Sequence, residues 1–250
     1  MSQSSELREF IKKAINETAD TDSPRLEQVR RGRDGARDVT LSYIYLDEIE
    51  KAKQWASVAV PDYLKYCQFA AEHKLDPSSP PDILVDQPWA DAITAMQLAT
   101  FASDDGLLSS VTEMVSEWAT LDFLDECRGW EKNLRIEAAS ILALFILDEP
   151  YNNHYETIQS KFDAMESPTI YAQRDYHIAN AIVGTASGET EQVRKSCKYL
   201  DEYHESLDEY ESTPMEIVNI NSCFCVAIAR QHGLDVNYTS DYVPDSLQSY

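Results

Sequence analysis

Two stretches of this chain carry side chains whose type and spacing could do chemistry. Arg30, Arg31, Arg33 and Arg37 place four arginines within eight residues of an otherwise acidic protein. The guanidinium is a planar, permanently charged fork suited to carboxylates. It allows two readings: internal pairing with the acidic body, or contact with an acidic ligand or partner segment as a secondary site. Arg37–Asp38 stands out, because it precedes the apolar face Val39–Leu46 and could pair inside a bundle. The second stretch is residues 201–216. It holds Asp201, Glu202, Glu205, Asp208, Glu209, Glu211 and Glu216 without a lysine or arginine, interleaved with Tyr203 and Tyr210 and preceded by Tyr199. Tyrosine adds rigid amphipathic area to a contact surface. Glu202, Tyr203, Glu205, Asp208, Glu209 and Tyr210 are therefore the expected partner-binding residues. The competing reading is a solvated helix face.

No catalytic arrangement is visible beside them. The sequence has no Walker loop, GxGxxG, GxSxG, HExxH or EF-hand loop. His73, His154, His177, His204 and His232 lie far apart, and none follows a glutamate at the Glu-x-x-His spacing of a di-iron bundle. They are expected to be ordinary, partly exposed side chains. The five cysteines form no CxxC, and an odd number fits free buried thiols in a reducing compartment. The expectation is a protein without catalytic residues, metal or cofactor.

The elements that must position these residues are helices. Only seven glycines and ten prolines occur in 250 residues, and long alanine-rich amphipathic runs recur. Joints fall at Asp47–Glu48, Asp104–Asp105, Asp148–Glu149, Gly188–Glu189 and Gly233–Leu234, at spacings of 57, 44, 40 and 45 residues. That is the pitch of stacked antiparallel helix pairs, a tetratricopeptide-like α-α superhelix. The expected division is an N-terminal helical bundle over 1–75, a proline-rich linker over 76–87 and a helix-pair array over 88–250, forming one continuous unit. Pro61 is expected to interrupt the third run. The last strong helix is expected from Pro214 to His232, apolar nearly all round and therefore buried, with Gly233 ending it.

Charge narrows the function classes. The chain carries 44 acidic and 21 basic residues, net −23. Residues 1–60 hold 11 and 10 of these, so nearly all the excess lies beyond Val60. Such a chain repels nucleic acid and acidic membranes. Adaptation to high internal salt (a halophilic surface) and an acidic face for a basic partner both account for it, and they are compatible. No window reaches the ~18 apolar residues of a membrane span, and the first residues lack the pattern of a signal peptide. A cytoplasmic protein is expected.

Ala36-Arg37-Asp38 opens a helical run. Ala52 and Trp55 follow in the next helix, Trp89-Ala90 begins a later pair, and the chain closes with Ala229-Arg230-Gln231-His232-Gly233-Leu234-Asp235-Val236 and Asp241-Tyr242-Val243-Pro244. In this pattern the chain resembles the Imm49 family of immunity proteins over nearly its whole length, with Asp47 where a glycine is usual at the first joint. The resemblance implies an all-helical, non-catalytic protein that binds and neutralises a cognate toxin by occlusion. A basic toxin domain would suit the acidic surface. The reading from another class is a helical-repeat scaffold or regulatory peptide-binding protein, with several weak ligands in place of one tight partner.

Overall fold

The computed structural model describes residues 3–18, 26–74, 86–119, 134–207, 213–245 and 247. Among them are ten α-helices: α1 (Gln3–Thr18), α2 (Leu26–Tyr45), α3 (Ile49–Lys74), α4 (Asp86–Ala102), α5 (Asp105–Ala119), α6 (Arg135–Ile146), α7 (Asn152–Asp163), α8 (Ile170–Ser187), α9 (Thr190–Glu205) and α10 (Ile220–Gln231). A 3-10 turn, Pro214–Glu216, precedes α10. The described residues contain no strand beyond one isolated bridge between Ser240 and Val243. The fold is all-α, built from packed helix pairs. The expected linker over 76–87 lies almost wholly outside the described residues.

The joints have a common physical basis. Asp47, Ser103, Asp148, Gly188 and Gly233 all have positive φ, between 53° and 80°. In four of the five, the residue after the left-handed one donates back to the carbonyl five positions earlier. These bonds are Glu48 to Tyr43 at 2.9 Å, Glu149 to Leu144 at 2.8 Å, Glu189 to Gly184 at 2.8 Å and Leu234 to Ala229 at 3.0 Å. This bond satisfies an orphan carbonyl and turns the chain into the next segment. At the second joint the left-handed residue is Ser103, one place before the expected position. Asp104 caps α5 there, its Oδ1 accepting from Gly106 and Leu107 N–H at 3.0 Å each. A β-carbon on Gly188 would meet nothing within 4 Å, so Gly188→Ala is expected to cost about 1 kcal/mol through backbone conformation alone. Asp148→Gly should shift stability the other way. Urea denaturation of the two variants measures both signs.

Two sequence expectations need correction. Pro61 does not interrupt its helix, since α3 runs unbroken from Ile49 to Lys74. The proline forfeits one N–H donor, but Ala52, Ala56, Ala59, Val60, Tyr63 and Cys67 are buried along α3. The burial of that face against α2 and α4 outweighs the lost bond. The expected helix from Pro214 to His232 is instead a 3-10 turn followed by α10. Asn219 makes the break: its Oδ1 accepts from Asn221 and Ser222 N–H. Its Nδ2 donates to the Leu200 carbonyl at 2.9 Å and to Asp201 at 2.8 Å.

Buried apolar residues from every one of the ten helices join one hydrophobic cluster, running in sequence from Ile11 to Leu247. Trp89 and Trp118 meet edge to face within it, with ring centroids 5.5 Å apart. Sequential helices pack on one another throughout. In addition α10 packs on α4 and α8, and the 3-10 turn packs on α2. Gln97 on α4 donates to Asn221 on α10 at 3.0 Å across this contact. The C-terminal segment thus returns to the first helices, a contact that purely nearest-neighbour stacking does not provide.

Candidate functional site

The arginines on α2 divide by position. The side chains of Arg30 and Arg31 lie outside the described residues. Arg33 is buried, 2% exposed. Its Nη1 lies 2.7 Å from Asp91 on α4, and its guanidinium sits over the Tyr66 ring, 3.8 Å from the centroid. Burial opposes its charge, but Asp91, Tyr63 and Asp34 more than compensate and hold its pKa above the ordinary value. Arg37 pairs with Asp38 at 2.7 Å and Asp34 at 3.3 Å, and its Nη1 reaches the Tyr63 hydroxyl at 3.4 Å. Burial works against the Asp38 carboxylate and raises its pKa despite Arg37. Arg33 and Arg37 therefore tie α2 to α3 and α4. Of the two sequence readings, the structure places them in internal pairing.

The acidic stretch also divides. Helix α9 buries Val193, Ser196, Cys197, Leu200, Asp201, Tyr203 and His204 on one face. Asp201 is not one of the exposed acids. It accepts hydrogen bonds from Asn219 at 2.8 Å and from Ser222 and Tyr238 at 2.6 Å each. Tyr203 is 5% exposed, covered by Tyr171 with centroids 6.4 Å apart. This corrects its expected role as a surface contact. It falls three residues after Leu200, on the inward face, a placement that the spacing of Val193, Cys197 and Leu200 already implies. Glu202 and Glu205 are exposed, with Glu202 lying 3.8 Å from Lys198. Asp208, Glu209 and Tyr210 lie outside the described residues. The tyrosines that do reach the surface here are Tyr199, 39% exposed, and Tyr171, 46% exposed.

Beside Tyr199, helices α7, α8 and α9 enclose a groove of about 520 Å³. Its wall consists of two ring stacks. Phe162 lies parallel to Tyr176 with centroids 3.9 Å apart, and His177 lies parallel to Tyr199 at 4.3 Å. The stacks meet edge to face, at 70° between Tyr176 and His177. Polar groups complete the lining. The Tyr155 hydroxyl donates to Asn180 Oδ1 at 2.7 Å, and Gln192 donates to the Asn180 carbonyl at 3.0 Å. Gly184 brings α8 and α9 together just behind. A β-carbon there would lie 3.1 Å from Gln192 and 3.2 Å from Val193.

The groove is not foreseen in the sequence, where Phe162 reads as part of an apolar face and the histidines as ordinary, partly exposed groups. His177 and His204 are in fact buried. Burial, aided by Lys195, lowers the His177 pKa to about 4. Burial likewise lowers that of His204, against the opposing effect of Asp201. Both rings are favoured as neutral groups near pH 7. Cys67, Cys197, Cys223 and Cys225 are free and buried. Among the described residues, no group of three or more His, Cys, Asp or Glu could hold a metal. No helix there is long and apolar enough to cross a membrane.

No protein-family model matches the chain, and neither a curated protein nor a solved structure matches it.

Proposed function

We propose that this protein is a non-catalytic binding protein that neutralises a cognate toxin by occlusion, with a basic toxin domain as its partner. The observation that carries the reading is the α8–α9 surface. Of the four large apolar side chains most exposed among the described residues, Ile170, Tyr171 and Tyr199 belong to this helix pair. Glu202, three residues after Tyr199 on α9, shares its exposed side, and Glu205 follows one turn later. In a chain of net charge −23, such a surface attracts a basic partner over distance and holds it through aromatic contact. Charge sets the association rate, and the rings set the residence time. The resemblance to immunity proteins points the same way.

The test is kinetic and uses the partner that co-purifies with the protein. Reversing Glu202 and Glu205 to arginine should slow association about tenfold at low salt and leave dissociation nearly unchanged. Tyr199→Ala and Tyr171→Ala should act oppositely and speed dissociation. Full protection by all four variants would place the partner elsewhere. Such protection, combined with loss of helical signal when salt falls from molar to about 0.1 M, would assign the acidity to salt adaptation.

A further inference from the structure

The groove between α7, α8 and α9 holds a positive charge that no carboxylate offsets. Lys195 lines it from α9. Elsewhere in this acidic chain, Lys12, Lys53, Lys65 and Lys198 each lie 3.3–3.8 Å from a carboxylate one helical turn away. Lys195 has the same opportunity in Glu191, four residues before it, in the order that favours a helix pair. Glu191 pairs instead with Arg194, at 3.6 Å. Among the described residues Lys195 makes no ion pair. Its charge is felt inside the groove, where it is second only to burial in holding the His177 pKa down.

The walls suit a flat ring with an anionic group. Tyr199 follows Lys195 by one turn on α9 and is 39% exposed although it is stacked on His177. The Phe162–Tyr176 stack meets this one at 70°. An aromatic ring in the corner lies offset on one stack and edge-on to the other, the two arrangements that rings prefer. The hydroxyls of Tyr176 and Tyr199 make no hydrogen bond among the described residues and add two donors to the same lining. The net charge of −23 repels a polyanion. A single anionic group in contact with Lys195 gains more than it loses, because acidic residues beyond about 8 Å are screened at physiological ionic strength. The volume of about 520 Å³ lies within the usual range of small-molecule clefts.

We infer that this groove binds a small aromatic carboxylate, its ring in the corner between the two stacks and its carboxylate on the Lys195 ammonium. This binding goes beyond the neutralisation of a basic partner and does not depend on it.

The probe is 2-naphthoate, titrated against the full chain and followed by NMR. It should bind with a dissociation constant on the order of 0.1–1 mM and shift the ring protons of Phe162, Tyr176 and Tyr199. The uncharged 2-naphthamide should bind about fivefold more weakly, and so should 2-naphthoate to Lys195→Met. Lys195→Arg should restore the affinity. Lys195 is exposed, so neither change disturbs the core. Lys198→Met removes the same charge from an exposed position outside the groove and should leave binding unchanged. No binding at about tenfold above that range, equal affinity for the amide, or indifference to Lys195→Met overturns the inference. Tighter binding of the more highly charged 2-naphthyl phosphate overturns it also, since the groove would then not be selecting a single charge. None of these results depends on a toxin partner, so this inference and the neutralising reading fail separately.

Discussion

Replacing Arg33 with alanine is expected to destabilise the protein by about 3–5 kcal/mol, the scale for breaking a buried ion pair from one side. Arg33 and Asp91 are 2% and 5% exposed, so neither charge can turn to water when its partner is lost. The variant strips Asp91 of a guanidinium 2.7 Å away and removes the cation that lies over Tyr66. It also unties α2 from α4, two helices with α3 between them in sequence. Denaturant unfolding gives the magnitude, and an unchanged dependence on denaturant would show that the same surface is still exposed on unfolding. The double variant Arg33→Met, Asp91→Leu should recover much of the loss, because both desolvation penalties disappear with the charges. A loss below about 1 kcal/mol for Arg33→Ala would mean that the other contacts of Asp91, or water, compensate its charge and that the pair behaves as a surface one.

The parts of this molecule that are legible in its sequence are those fixed by local backbone chemistry. Asp47, Asp148, Gly188 and Gly233 mark joints because a left-handed residue is needed to close each helix. Glycine adopts that conformation freely, and aspartate tolerates it better than most. Ser103 lies one place before the expected joint because Asp104, the cap of the next helix, is the louder signal. Pro61 and Asn219 mislead for opposite reasons. Tertiary burial carries α3 through a residue that ends isolated helices. An asparagine inside an apolar run starts α10 because its amide also reaches Leu200 and Asp201 across the core.

The candidate site is less legible, because no single segment encodes it. Tyr203 can be assigned inward from the spacing of Leu200 and Cys197 alone. The groove cannot be read in that way. Phe162, Tyr176 with His177, and Tyr199 come from three helices, and their ring stacks depend on how α7, α8 and α9 are rotated against one another. The close approach at Gly184 that fixes α9 against α8 looks in sequence like any glycine near a helix end.

The protein is expected to lose stability as pH falls from about 6.5 toward 4, and His177 should account for a large share. Its folded-state pKa is lowered to about 4, by burial first and by Lys195 second, whereas the unfolded chain titrates near about 6.5. Between those values the unfolded state binds the proton and the folded state does not, so acid favours unfolding. The contribution is fully present above about pH 6.5 and is lost as pH falls through the folded-state value. It amounts to roughly 3 kcal/mol. His204 is shifted in the same direction by burial and adds a second loss in acid, so a single pH profile does not isolate either ring. The difference between wild type and His177→Phe does. Phenylalanine preserves the parallel contact with Tyr199 and has no proton to bind. Its stability relative to wild type should therefore rise steadily from pH 7 to pH 4, by most of that amount. Parallel curves for the two proteins would mean that His177 is solvated well enough to protonate in place.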